Sequence, residues 1–217
     1  MQSYVFDAFG TLFDVTRVPA SLSAACGSRA AAIVDACRAK QLEYTWVYTL
    51  LDGYKDFETL TTEAIDFVLE GEQQLGSEMK QALLDVYRRP VCFPDVRPVL
   101  QRLFEQRHRL SILSNGTRSM LDGALQHTGL ASYFDEILSV EKNRAYKPSS
   151  IAYDAALRRL QIKHDAFAFI SSNRWDVAGA TRRGFRTIWL NRRNAPDEYL
   201  GLPPFRAIAS LEELDRC

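Results

Sequence analysis

The spacing of apolar and polar positions changes character twice along the chain. Ser3–Asp7 is a short β-favouring run that ends at an acid, and Ala8–Thr11 has the composition of a tight loop. From about Arg17 to Arg89 strand-like alternation disappears. Apolar residues there recur at helical intervals, as in Trp46, Leu50 and Tyr54 and again in Leu60, Ala64, Phe67 and Val68, with Gly53, Gly71 and Gly76 as breaks. Beyond Phe93, Pro94 and Pro98 the two periods alternate. Helices near Val96–Gln106, Arg118–His127, Ser149–Leu160 and Asp176–Arg183 precede strands Arg109–Leu113, Glu136–Val140, Ala166–Ile170 and Arg186–Leu190 respectively. Strict alternation of this kind predicts a parallel sheet with helices on both faces. The expected division is an α/β core from residues 1–14 and 93–217 and a helical insert from 15–92.

Composition narrows the partners more than the fold. The 217 residues are 47% apolar and 25% charged, as in ordinary globular chains. Lys plus Arg and Asp plus Glu each total 27, so the formal charge is zero and neither nucleic acid nor a charged membrane is expected as a partner. No apolar run reaches membrane-spanning length, and the N-terminus enters a strand without a signal-like leader, so a cytoplasmic location is expected. Cys26, Cys37, Cys92 and Cys217 show no metal-like spacing and are expected as free thiols. His108, His127 and His164 form no ligand pattern, so no histidine-based metal site is expected.

In open parallel sheets ligands bind beyond the carboxyl ends of the strands. That rule selects Asp7, Ser114, Asn115, Ser171, Ser172 and Asn173 before any chemistry is considered. Taken one at a time these are ordinary residues. An acid at a strand end usually serves a turn or cap, and Lys147 before Pro148 would be a solvated loop lysine. Arg38 and Lys40 read as a charged helix face, and Leu42, Trp46 and Phe57 as helix packing. Asp14 reads as a helix-start acid, and Arg182, Arg183, Arg192 and Arg193 as exposed charge.

Together they form a set. Phe6–Asp14 (Phe-Asp-Ala-Phe-Gly-Thr-Leu-Phe-Asp), Leu113–Gly116, Lys147-Pro148 and Ile170–Asp176 resemble, in order and spacing, the four signature motifs of the haloacid dehalogenase superfamily. Phosphatases of that superfamily have a second acid where this chain has Phe9, and a metal-binding acid pair where it has Ser171, Ser172 and Asn173. A phenyl ring cannot carry a proton, and the two acids that remain, Asp7 and Asp176, are few for a hard divalent ion. The departures match instead the (S)-2-haloacid dehalogenases. The insert matches them too, through Arg38-Ala39-Lys40-Gln41-Leu42-Glu43-Tyr44, although relatives often carry glutamine where Ala39 stands.

That resemblance implies a Rossmann-like core with an inserted helical cap subdomain, and a hydrolase of small 2-haloacids that uses no metal and no cofactor and commonly works as a homodimer. Asp7 would be the nucleophile, aimed by Thr11 and kept charged by Lys147. Arg38 with Asn115 would receive the halide, and Ser114 with the backbone at Ala8 and Phe9 would hold the substrate carboxylate. Leu42, Trp46, Phe57, Phe9 and Trp175 would dry the pocket. Asp176, with Lys147, Asn173 and Ser171, would direct water onto the resulting ester. The competing expectations are a Mg²⁺-dependent phosphatase or phosphonate-cleaving relative, and a non-catalytic protein on the same fold.

Overall fold

Three runs of apolar residues with little alternation form the middle of the sheet, as expected of strands covered on both faces. The computed structural model describes residues 2–72, 76–161 and 167–214. In it β1 (Ser3–Phe6) pairs in parallel with β4 (Arg109–Ser114) on one side and β6 (Phe167–Ser171) on the other. The flanks are β5 (Glu136–Ser139) beyond β4, and β7 (Arg186–Leu190) then β8 (Arg206–Ile208) beyond β6, giving the order β5-β4-β1-β6-β7-β8. The chain fills one flank and then crosses to the other, so the switch point lies at the carboxyl end of β1. Phe6 is in register with both Ile112 and Ile170. The next step places Asp7 level with Leu113 and Ser171.

Helices α5 (Val96–Glu105), α6 (Arg118–Thr128), α7 (Ser150–Leu160) and α8 (Arg174–Arg182) link these strands. Thr117 and Ser149 cap α6 and α7 by accepting backbone N–H groups. Between a two-stranded ribbon of β2 (Phe13–Asp14) and β3 (Val91–Cys92) the chain makes α1 (Ala20–Cys26), α2 (Ala30–Leu50), α3 (Phe57–Glu70) and α4 (Ser77–Arg88). These helices bury an apolar cluster of their own that includes Leu22, Ile33, Val34, Ile65, Leu69 and Leu83. Phe57, Leu60 and Tyr87 from the same helices instead join the cluster around the sheet. With 21 residues α2 is about 30 Å long, enough to reach across the end of the sheet.

Several local expectations give way. Helix α2 stops at Leu50, and Asp52 with a positive φ and Gly53 turn the chain, so Tyr54 is not part of that helix. Phe67 faces outward under the Lys40 ammonium, 4.7 Å from its ring. Asp14 starts no helix; its carboxylate accepts from the Thr16 N–H and hydroxyl. Helix α8 begins two residues before Asp176, because Asn173 has the extended backbone of an N-cap. The predicted strand start at Ala166, with His164 and Cys217, lies outside the described residues. Among the described helices none is long and apolar enough to cross a membrane.

Candidate active site

The turn after β1 is built to bend a hydroxyl back onto Asp7. The Ala8 carbonyl accepts from the N–H groups of Thr11, Leu12 and Phe13, and Gly10 closes the turn at φ +96°, a backbone that side-chain-bearing residues rarely adopt. A Cβ on Gly10 would sit 3.6 Å from the Asn173 amide and 3.9 Å from Arg38 Nη2, ordinary contact distances, so it is the backbone conformation that calls for glycine here. Thr11 Oγ1 accepts from the Ser172 N–H and donates to Asp7 Oδ2 at 2.8 Å.

Asp7 is 4% exposed and its two oxygens differ. Oδ2 accepts from Thr11, from Asn173 Nδ2 at 2.8 Å and from Ser171 Oγ at 3.5 Å, whereas Oδ1 accepts from Lys147 Nζ at 2.8 Å. Asn173 stands at the N-cap of α8 without capping it; its side chain is turned to Asp7 instead. That diversion separates a site role from the structural role its position suggests.

Lys147 is fully buried, and each of its three N–H bonds has an acceptor: Asp7 Oδ1, Asp176 Oδ2 at 2.7 Å and the Leu113 carbonyl at 3.0 Å. Burial works against its charge, but Asp176 and Asp7 outweigh burial and raise it above the ordinary lysine range. Burial pushes the Asp176 carboxyl up, against the pull of Lys147 and with added repulsion from Asp7. Asn115 Oδ1 accepts from the Lys147 backbone N–H at 2.9 Å, which fixes the segment carrying the ammonium. Its Nδ2 is buried and finds no partner among the described residues. Ser114 Oγ accepts from the Gly116 N–H, 3.1 Å away.

Arg38 approaches from the insert. Its Nη2 donates to the Phe9 carbonyl at 3.2 Å, and its Nη1 to Gln41 at 2.6 Å. The Phe9 ring lies among Phe57, Phe13 and Tyr87, and a Cβ on Gly116 would press into it at 2.6 Å. Trp46 of α2 meets Trp175 of α8 edge-on at 5.7 Å, so insert and core touch through these two indoles. Leu42 is half-buried one turn from Arg38, and Ala39 is exposed. Asp7, Thr11, Lys147, Ser171, Asn173 and Asp176 are thus one hydrogen-bonded set, with Arg38, Phe9 and Asn115 against it. The Ala8 carbonyl serves the turn.

Two neighbours escaped the sequence. The Tyr153 hydroxyl donates to Asp176 Oδ1 at 2.7 Å, and burial followed by the Asp176 charge keeps this phenol protonated. Tyr153 in α7 looks like any core aromatic; only a fixed distance from Lys147 could have marked it. Arg192, expected as exposed charge, is mostly buried instead. It donates to Asp95 at 2.5 Å and to the Thr11 carbonyl at 3.2 Å, and lies 4.3 Å over Phe93. Nothing in a loop reading Asn-Arg-Arg-Asn distinguishes Arg192 from Arg193.

Comparison with known proteins gives the family. Residues 1–184 match the family of haloacid dehalogenase-like hydrolases. (S)-2-haloacid dehalogenase 1 of Pseudomonas sp. (strain CBS-3) is 39% identical over 215 residues, spanning 99% of this chain and 95% of that one. A dehalogenase crystal structure described as an intermediate complex superposes with a TM-score of 0.93 at 36% identity, covering 99% and 95% of the two chains. The L-2-haloacid dehalogenase of Xanthobacter autotrophicus with chloropropionic acid covalently bound has a TM-score of 0.88 at 30% identity, covering 100% and 97%.

Proposed function

We propose, starting from the fact that this chain belongs to the haloacid dehalogenase-like hydrolases, that it hydrolyses short-chain (S)-2-haloalkanoic acids to (R)-2-hydroxy acids through an ester on Asp7. The observation that carries this reading is the unequal clamp on Asp7. Oδ2 is engaged by three donors, while Oδ1 has only Lys147 and keeps a lone pair for attack. Oδ1 displaces the halide at C2 with inversion, forming a C–O bond as the carbon–halogen bond breaks and the halide leaves with its electron pair. Arg38 and the free Nδ2 of Asn115 receive that charge.

In the ester Oδ2 becomes the carbonyl oxygen. Water adds to the carbonyl carbon, and the charge that develops on Oδ2 meets Thr11, Asn173 and Ser171, donors already in place. Asp176 takes a proton from the water and gives it to the departing alkoxide oxygen as the bond between that oxygen and the carbonyl carbon breaks; the second water proton is released to solvent, which restores the Asp7 carboxylate. The raised pKa of Asp176 makes it a stronger base than an ordinary carboxylate. The product leaves with an oxygen that began on Asp7, and C2 is inverted once. Residues 15–92 act as a cap over the core of 1–14 and 93–217, a division supported by their separate apolar cluster.

The donor set does not suit a divalent ion. Both oxygens of Asp7 and of Asp176 already accept hydrogen bonds, and an ammonium bridges the two acids. Phosphoryl transfer would also need a proton donor where the Phe9 ring sits among other aromatic rings. The test is halide release from each enantiomer of 2-chloropropionate with and without EDTA. The expected outcome is activity on the S form alone, unchanged by chelation; phosphate-ester cleavage restored by Mg²⁺ would overturn the reading.

Tyr153→Phe provides a further check. Its hydrogen bond favours the charged form of Asp176, so its loss raises the Asp176 pKa further. Ester hydrolysis should slow about tenfold at neutral pH, and its acid limb should move to higher pH. An unmoved limb in single-turnover kinetics would remove Asp176 as the base.

A further inference from the structure

Arg38 is directed by a chain of buried hydrogen bonds that ends on Thr61. A guanidinium only donates. Gln41, 2.6 Å from Arg38 Nη1, must therefore turn its carbonyl oxygen toward the arginine. The same oxygen accepts from the Tyr87 hydroxyl at 3.3 Å. Burial holds Tyr87 in its phenol form against the pull of Arg38. The Gln41 amide nitrogen is then committed to the opposite side, where it donates to Thr61 Oγ1. Thr61 can accept there because its own hydrogen goes to the Phe57 carbonyl, 2.6 Å away along α3. Gln41 and Thr61 are 1% and 2% exposed, so bulk water does not reach either to stand in for a lost partner.

We propose that Thr61 is a positioning residue: through Gln41 it sets the direction of the Arg38 guanidinium, and with it the step in which halide leaves. This rests on the reading of Arg38 as the cation that receives halide. Thr61 bonds to Phe57 and Gln41, both on the insert, and acts on the reaction only through the arginine. Its influence therefore falls on ester formation, where charge develops on the halogen. Ester hydrolysis, where charge develops on Asp7 Oδ2 beside Thr11 and Asn173, is outside its reach.

The test is a pair of near-isosteric changes, Thr61→Val, which removes the hydroxyl, and Thr61→Ser, which keeps it. Rapid-quench single turnover of (S)-2-chloropropionate reads chloride release, and intact-protein mass spectrometry reads decay of the ester. Thr61→Val should slow chloride release roughly 10- to 100-fold, leave ester decay unchanged and weaken inhibition by added bromide. Thr61→Ser should restore the first step. Equal slowing of both steps, or no recovery with serine, overturns the proposal, since that is how a loosened helix packing would behave. A slow Arg38→Lys beside a wild-type-like Thr61→Val overturns the proposal alone. An Arg38→Lys that forms ester at the wild-type rate overturns the reading of Arg38 and the proposal with it. Should Thr61→Val not fold, Gln41→Met tests the same link, with a slow first step expected and an unchanged one contradicting it.

Discussion

Asp7→Asn should lower turnover by roughly 10⁴-fold or more while leaving the fold intact. An amide oxygen is a poor nucleophile toward a saturated carbon, and no second carboxylate can take the place of Asp7. Asp176 is the nearest candidate, but the Lys147 ammonium stands between it and Asp7, so it does not reach the carbon that Asp7 attacks. The fold should survive because the change relieves charge imbalance. Asp7, Asp176 and Lys147 are two acids sharing one ammonium, and removing one acid leaves a balanced pair. The asparagine oxygen can still face Lys147, and the Thr11 hydroxyl and Asn173 amide can each turn to accept from its nitrogen. The unfolding free energy should stay within about 1 kcal/mol of wild type. Turnover near the wild-type rate, measured as halide release, would end the assignment of Asp7.

Lys147→Met should have the opposite profile, damaging the fold as much as the reaction. It removes the buried cation from between two carboxylates and leaves a thioether chain of similar length. Breaking a buried ion pair in this way costs about 3–5 kcal/mol, and loss of the charge beside Asp7 should lower turnover about 10³-fold. The stability loss should depend on pH with a definite sign. Burial already raises Asp176, and Lys147 is the group that pulls it down. Without Lys147 the folded-state pKa of Asp176 lies still further above its unfolded value. A group raised in this way favours the folded state below its unfolded pKa and loses that contribution as pH rises through the folded pKa. The gap between variant and wild type should therefore be small in acid and widen toward neutral pH. Denaturant midpoints at a series of pH values check this; a gap that is independent of pH would mean that Asp176 does not titrate with the fold.

The sheet could be read from the sequence because its central strands are buried on both faces and therefore appear as largely apolar runs with little alternation. The acids and amides at their ends follow from the position of a switch point. The short pieces could not be read in the same way. Neither β2 nor β3 has more than two residues, and β8 has three, too few to show a period. Apolar spacing runs past α2 to Tyr54, and Gly53, read as a break, rather than any change in hydrophobicity marks the turn that it makes with Asp52. The site divides along similar lines. Asp7, Lys147 and Asn173 lie in motifs whose order along the chain is informative. Tyr153, Gln41 and Arg192 owe their importance to partners far away in the chain, Asp176, Thr61 and Thr11, and a residue type alone does not reveal such a partner. Arg192 shows the difference most clearly. Its guanidinium holds Asp95 below the ordinary carboxylate range, against burial that would raise it, and ties the Thr11 turn to the end of β7.

The most direct test of the ester follows the origin of the product oxygen. Enzyme in excess over (S)-2-chloropropionate in ¹⁸O-water should release a first-turnover lactate whose new hydroxyl carries no label. Mass spectrometry of the peptide containing Asp7 should show one ¹⁸O in that carboxylate. Label in the first-turnover lactate, with Asp7 unlabelled, would mean that water attacks the substrate carbon directly and that Asp7 is not the nucleophile.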